Sequence, residues 1–302
     1  MTTMELPAGV GWTALLTAYG RAQERRESKP LFSDPLAAAF IDAVNGDGVR
    51  DDGKLPRLGP AVDDDSSTLW TAFRFYFTQR TPFYDQRLLS AVEAGCRQVV
   101  LLGAGLDGRA FRLGLPANVT VFELDQSPVL DFKQTVLTRH DAVPTCRRVP
   151  LAADLLGDWP AVLPPAGFDP ALPTVWVAEG LLMYLSRADA DRLLDRITAL
   201  SAPGSCMLTE YFSREWQDAE VVNESFDSQD RAAWDLVRGS FLYGPAAEHP
   251  ATWLSGHGWA AGVITTVGKL GRQSGRTVPP EFGRPGAVQV WLLEGTYAAS
   301  GA

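Results

Sequence analysis

The period of the apolar positions changes near residue 98. Before it, apolar residues recur at helical spacing. In Trp12–Arg25, Leu15, Leu16 and Tyr19 share a face ahead of a charged end. Ser33-Asp34-Pro35 places a capping residue before a proline at the first helical position, opening a second helix over 35–44. Residues 45–66 are rich in Gly, Pro and Asp and look like a loop. A longer helical region follows, with Trp70, Phe73, Phe77, Leu88, Leu89 and Val92 as core positions. From 98 onward, short β-branched runs alternate with helical patterns. The runs are 98–103, 119–124, 146–151, 174–179 and 205–210, with helices over 128–139 and 187–200 between them. In the second helix Ser186 is the cap, Leu193, Leu194, Ile197 and Leu200 form one face, and Pro203-Gly204 stops it. Strand–helix alternation predicts an α/β fold with a doubly wound, mostly parallel sheet. Two last runs, 259–267 and 287–295, have no helix pattern between them and are expected to pair antiparallel.

Composition narrows the class. The 302 residues are 46% hydrophobic and 21% charged, as in a folded globular chain. A net charge of −9 argues against nucleic acid as the main partner, since binders of phosphate backbones use basic surface. The cluster Arg21, Arg25, Arg26, Lys29 reads as a solvated helix face. Cys96, Cys146 and Cys206 match no zinc or CxxC spacing and are expected as reduced, buried residues beside strands. His140, His249 and His257 are scattered, so no metal site is expected. Without a signal peptide or an apolar run of spanning length, the expected setting is cytoplasmic, with no membrane partner.

The chemistry concentrates at strand ends. Gly103-Ala104-Gly105-Leu106-Asp107-Gly108 fits G-x-G-x-x-G after a strand and before a helix, whose N-terminus would add free N–H groups. Glu123 and Asp125, at the end of the next strand, point the same way, so either can accept from a ribose diol while the other serves structure. This set fits NAD or S-adenosylmethionine. Asp154-Leu155 can meet an adenine amino group and ring nitrogen. Glu179, at the end of the fourth strand run, suits an ammonium group. Neither a Tyr-x-x-x-Lys nor a His–Asp pair suggests hydride transfer, so an NAD-dependent oxidoreductase is the lesser alternative.

Taken together, Thr13-Ala14, Arg21, Phe32–Pro35, Arg80-Thr81, Asp85, Val99–Arg109, Phe122–Asp125, Lys133, Asp154-Leu155, Ala178–Leu185 and Trp253…Trp259 resemble the leucine carboxyl methyltransferase family, especially its bacterial small-molecule branch. The resemblance implies a class I methyltransferase, Rossmann-like fold with seven strands and extra N-terminal helices. It implies S-adenosyl-L-methionine as cofactor. Arg80 would pair with the methionine carboxylate, Gly103, Ala104 and Gly105 would form the turn, and Asp125 with Gln126 would hold the ribose. Asp154 and Leu155 would contact adenine, and Glu179 with Gly180 would lie near the methionine end. Where similar proteins have Thr or Ser, this chain has Gly108. One domain is expected: a helical cap (1–95), a cofactor core (96–210), a helical insertion over the site (211–256) and antiparallel strands (257–302). The acceptor would be a small molecule, such as a natural-product intermediate, and the protein a monomer or homodimer. A carboxylate acceptor needs no general base and a phenol would benefit from one. Tyr184, Tyr211, Arg214 and His249 are the acceptor-pocket candidates.

Overall fold

The computed structural model describes residues 4–5, 10–45, 49–50, 55–62, 67–213, 226–245, 248–283 and 289–298. The main sheet contains β3 (Gln98–Leu102), β4 (Thr120–Asp125), β5 (Arg147–Ala152), β6 (Thr174–Ala178), β7 (Cys206–Phe212), β8 (Trp259–Thr266) and β9 (Val290–Tyr297). Their order is β5-β4-β3-β6-β7-β9-β8. The first five run parallel, with Val100 opposite both Phe122 and Trp176. β9 pairs antiparallel with β7 and β8. The doubly wound sheet with its antiparallel terminal pair is therefore as expected. A separate two-strand parallel pair joins β1 (Met4–Glu5) to β2 (Val49–Arg50). Thus the 45–66 loop is not entirely irregular, and Leu55 and Leu58 within it pack on the core. Positions 46–48, 51–54 and 63–66 lie outside the described residues.

Alternation along each strand divides the core. Val99, Leu101, Val175, Val177, Leu208 and Phe212 face one cluster. Val100, Leu102, Trp176, Ala178, Met207 and Tyr211 face the other, the period-two consequence of a pleated strand. The first cluster is covered by α1 (Val10–Gln23) and α3 (Thr68–Glu93), with Trp12, Leu16, Trp70, Phe73 and Phe77 buried. A third cluster joins α1, α2 (Pro35–Asn45) and α5 (Ser127–Arg139). Asp34 caps α2 by accepting from the Ala37 N–H at 3.1 Å. Ser186 caps α6 (Arg187–Ala199) through the Asp189 N–H, an interaction worth about 1 kcal/mol.

Two expectations need correction. Arg21 does not sit on a solvated face: it is buried and its Nε pairs with Asp34 at 2.8 Å, whereas Arg25, Arg26 and Lys29 are exposed. Helices α9 (Val267–Gln273) and α10 (Pro280–Gly283) separate β8 from β9. They are too short, and α9 too glycine-rich, to show a helical period. Thr266 caps α9 through the Lys269 N–H instead. Among the described residues no helix is long and apolar enough to cross a membrane.

Candidate active site

The chain leaves β3 toward β4 on one side and β6 lies on the other, so a crevice opens past the carboxyl ends of these strands. A cavity of about 320 Å³ occupies it, within the usual range for small-molecule sites. The glycine turn forms its floor. Gly103 and Gly105 have φ of +65° and +48°, the left-handed region that glycine enters without a Cβ penalty. The Gly105 N–H donates to Asp125 Oδ2 at 2.6 Å and the Gln126 N–H to Oδ1 at 2.7 Å. Burial raises the Asp125 carboxyl above its ordinary value, and these two bonds partly offset that. Ala104 and Gln126 complete this edge. Asp154, Leu155 and Leu156 flank it, with Asp154 Oδ1 accepting from the Leu156 N–H at 2.9 Å.

Glu123, the other acid on β4, is fully buried. Lys133 Nζ and Arg148 Nη2 approach its Oε2 at 2.9 and 2.8 Å. Its partners are internal, whereas Asp125 lines the cavity. The helix expected after the turn is only α4 (Arg109–Arg112), one turn long. Its Arg109 N–H is already taken by Asp107 Oδ1 at 2.7 Å. The helix N-terminus expected to add free N–H groups is therefore a single turn with one of those groups already engaged. A Cβ on Gly108 would lie 3.0 Å from Asp34 Oδ1, so the glycine lets that carboxylate approach the turn.

A buried ion network runs behind this floor. Asp34 lies 2.8 Å from Arg21 Nε and 3.7 Å from Arg112 Nε. Asp85 joins Arg112 to Arg109 at 2.5 and 2.7 Å. Arg109 spends its remaining nitrogens on Asp107 at 2.5 Å and Glu179 Oε2 at 2.7 Å. Burial would raise Asp107, but Arg109, Lys133 and Arg112 outweigh it and hold the acid down at about 2. Glu179 Oε1 in turn meets Arg80 Nε at 2.9 Å. Arg80 Nη1 ion-pairs with Glu210 Oε1 and donates to Tyr76 Oη at 2.6 Å. Burial opposes the Arg80 charge, but Glu210 and Glu179 keep its pKa above the ordinary arginine value. The Arg80 Nη1 donors go to Tyr76 and Glu210, and Nε meets Glu179 as an ion pair without hydrogen-bond geometry. No hydrogen bond from Nη2 is seen among the described residues, and Arg80 lines the cavity. Gly180, at φ +68°, leaves room for the guanidinium: a Cβ there would stand 3.3 Å from both Nη atoms.

Arg80, the 103–105 turn, Asp125, Gln126, Asp154, Leu155, Glu179 and Gly180 thus line one cavity. Its other half is apolar. Leu69, Phe73 and Phe77 of α3 face Trp234 and Val237 of α7 (Ser228–Gly239), with Phe212, Phe241 and Phe282 around them. Tyr184 lies here too. Burial, helped by Glu210 and opposed by Thr13 and Arg80, pushes its hydroxyl up to about 12, so at neutral pH it is a neutral donor. Two acceptor-pocket expectations fail. Tyr211 points to the opposite face of β7 from Phe212, packs edge-on against Trp253 and donates to the Glu248 carbonyl at 2.6 Å. His249 caps α8 (Pro250–Gly256) and lies against Trp291. Arg214 lies outside the described residues.

Sequence reasoning missed Glu210, Tyr76 and the cross-strut role of Arg109. An acid in the run Cys206–Phe212 read as a buried strand demands a buried cation, and that was the available signal. Among the described residues no group of three or more His, Cys, Asp or Glu could hold a metal ion.

The sequence profile of the leucine carboxyl methyltransferase family matches residues 14–198. A relative in Mycobacterium marinum is 45% identical, covering 95% of this chain and 92% of its own, and one in Mycobacterium avium is 40% identical over 93% of each. Both bear the name S-adenosyl-L-methionine-dependent methyltransferase. Among solved structures, a DUF574 family protein from Streptomyces avermitilis superposes with a TM-score of 0.56 at 17% identity, covering 94% of this chain and 97% of its own. A methyltransferase from Thermobifida fusca does so with 0.53 at 15%, over 95% and 94%. These two share the fold. The relatives decide between the two cofactors that the glycine turn left open. The chain belongs to the leucine carboxyl methyltransferase family and is an enzyme that transfers methyl groups from S-adenosyl-L-methionine.

Proposed function

We propose that the enzyme methylates an oxygen of a small apolar molecule, a carboxylate or a phenolic hydroxyl of the kind found on natural-product intermediates, in the cytoplasm. The observation that carries this reading is one cavity with a polar half fitted to the cofactor and an aromatic half fitted to an apolar acceptor. Arg80 Nη2 offers N–H donors to the carboxylate of the methionine end, a charge-assisted hydrogen bond of the stronger kind. Glu179 offers its carboxylate to the ammonium beside it. Asp125 accepts from the ribose diol, with its other lone pairs held by Gly105 and Gln126. Asp154 and Leu155 border the adenine.

The cofactor supplies an electrophilic methyl group, so the protein orients the acceptor and excludes water. Leu69, Phe73, Phe77, Trp234 and Phe241 form the water-excluding wall. The helical insertion over 211–256 contributes Trp234, Val237 and Phe241 to it. Tyr184, protonated at neutral pH, donates to the acceptor and does not remove its proton. A carboxylate, ionised above a pKa of about 4, attacks without a base, and this favours it over a phenol. The test is a mass-shift screen of aromatic and aliphatic carboxylic acids and phenols with the methyl donor present. A gain of one methylene on an oxygen supports the reading. Methylation only of nitrogen or carbon, or no product despite cofactor binding, refutes it.

A further inference from the structure

The ion network behind the cavity does not balance. From Arg21–Asp34 at one end to Arg80–Glu210 at the other, four arginines meet five carboxylates. Their side chains are all at most 15% exposed. One buried negative charge is therefore unmatched by protein, an unfavourable arrangement unless something else supplies the cation. The neighbouring cluster of Glu123, Lys133 and Arg148 carries one positive charge in surplus. Lys133 also acts on Asp125 at the cavity edge, whose charge offsets it, so the enlarged set keeps one negative charge in excess. A ligand with one net positive charge complements the excess. S-adenosylmethionine is such a ligand: its amino-acid end is a zwitterion, so its net charge is that of the sulfonium. Its demethylated product is a thioether and has none.

Glu210 is the acid that tips the balance. It is fully buried and does not line the cavity. The Arg80 guanidinium, the Tyr76 hydroxyl (2.6 Å) and the Gly180 N–H (2.9 Å) all donate to its Oε1. Burial raises its carboxyl above the ordinary value, and these three donors on one oxygen work against that by favouring the ionised form. We propose that Glu210 is a charge-selecting positioning residue, whose negative charge makes the site prefer the sulfonium cofactor to its neutral thioether product. Product is then displaced by fresh cofactor after each turnover. The proposal rests on the assignment of this cavity to the cofactor.

The three donors on a single oxygen make Glu210→Gln a clean test. An amide oxygen in the Oε1 position keeps all three bonds, and its NH2 faces the Tyr84 hydroxyl, which lies 3.4 Å from Oε2. Only the charge is removed. Isothermal titration of S-adenosylmethionine and S-adenosylhomocysteine is expected to show the sulfonium weakened on the order of tenfold and the thioether by less than about threefold. Glu210→Asp, which keeps the charge, is expected to retain the wild-type ratio of the two affinities. A Gln variant that weakens both ligands equally, or neither, overturns the proposal. If Glu210→Gln does not fold, Asp85→Asn removes one charge from the same network at a residue that does not line the cavity. It must lower the same ratio, and an unchanged ratio overturns the proposal. Wild-type protein that binds neither ligand would sink the cavity assignment as well. Wild-type binding with an unchanged ratio in the variants sinks the charge selection alone.

Discussion

Gly180→Ala tests whether the Arg80 edge is where the cofactor is held. The residue has φ +68°, and an alanine Cβ would sit 3.3 Å from both Arg80 Nη atoms. The left-handed backbone costs an L-residue about 1–2 kcal/mol, which for a chain of this size lowers the melting temperature by about 2–3 °C. The crowding acts separately, on binding. Glu179 and Glu210 hold the guanidinium from two other sides, so it must yield by a few tenths of an ångström on the side that faces the ligand. Disturbing one charge-assisted hydrogen bond is worth about 1.5–3 kcal/mol, a loss of at least tenfold in affinity. Gly114→Ala is the control. It has φ +62°, nothing within 4 Å of the added Cβ and no place in the cavity lining, so it carries the same backbone cost without the crowding. Calorimetric titration with S-adenosylhomocysteine alongside thermal melts separates the two effects. Both variants should melt lower, and Gly180→Ala alone should bind weakly. Equal affinities in the two variants would refute the reasoning.

Asp125→Asn keeps one backbone acceptor but loses the charge that receives the ribose diol, so S-adenosylmethionine affinity should fall at least about tenfold; a change under twofold in the same titration would place the ribose elsewhere. Lys133→Met strips the fully buried Glu123 of its lysine and leaves Arg148 as partial compensation, a loss of about 3 kcal/mol in urea unfolding. Asp107 gives a pH signature. Its carboxyl is held at about 2, below the unfolded value near 3.9, so its contribution is complete above about pH 4 and disappears as pH falls toward 2. Wild-type stability should drop by about 2 kcal/mol more than that of Asp107→Asn over this window, whereas parallel profiles would mean that the ion pair with Arg109 adds nothing. The raised pKa values of Asp125 and Glu210 act in the opposite sense and at higher pH, so they do not mask the window.

Much of this architecture is legible along the chain because its signals are local. Alternation of short apolar runs with helical patterns yields the parallel strands. Ser186 and Asp34 announce helix starts by cap chemistry that needs only the next three residues. Acids at the ends of β4 and β6 can be placed at the crevice from strand direction alone. What escaped is non-local. Glu210 draws its meaning from Arg80, 130 residues earlier, and Arg21 is buried by Asp34 and by the Leu106 carbonyl, which only the folded turn brings near. Tyr211 failed by one position: on a strand, a single residue decides which face a side chain takes, and Phe212 has the place in the cavity. The helices between β8 and β9 were invisible because seven residues with two glycines carry no readable period.

The central claim is that Arg80, Asp125 and the 103–105 turn hold the cofactor in this cavity. A crystal structure of the protein with S-adenosylhomocysteine tests it most directly. The account predicts the ligand carboxylate on Arg80 Nη2 and the ribose diol on Asp125, with the sulfur facing the aromatic half beside Tyr184. A ligand seated elsewhere, or one that leaves Arg80 Nη2 without a contact, would contradict it.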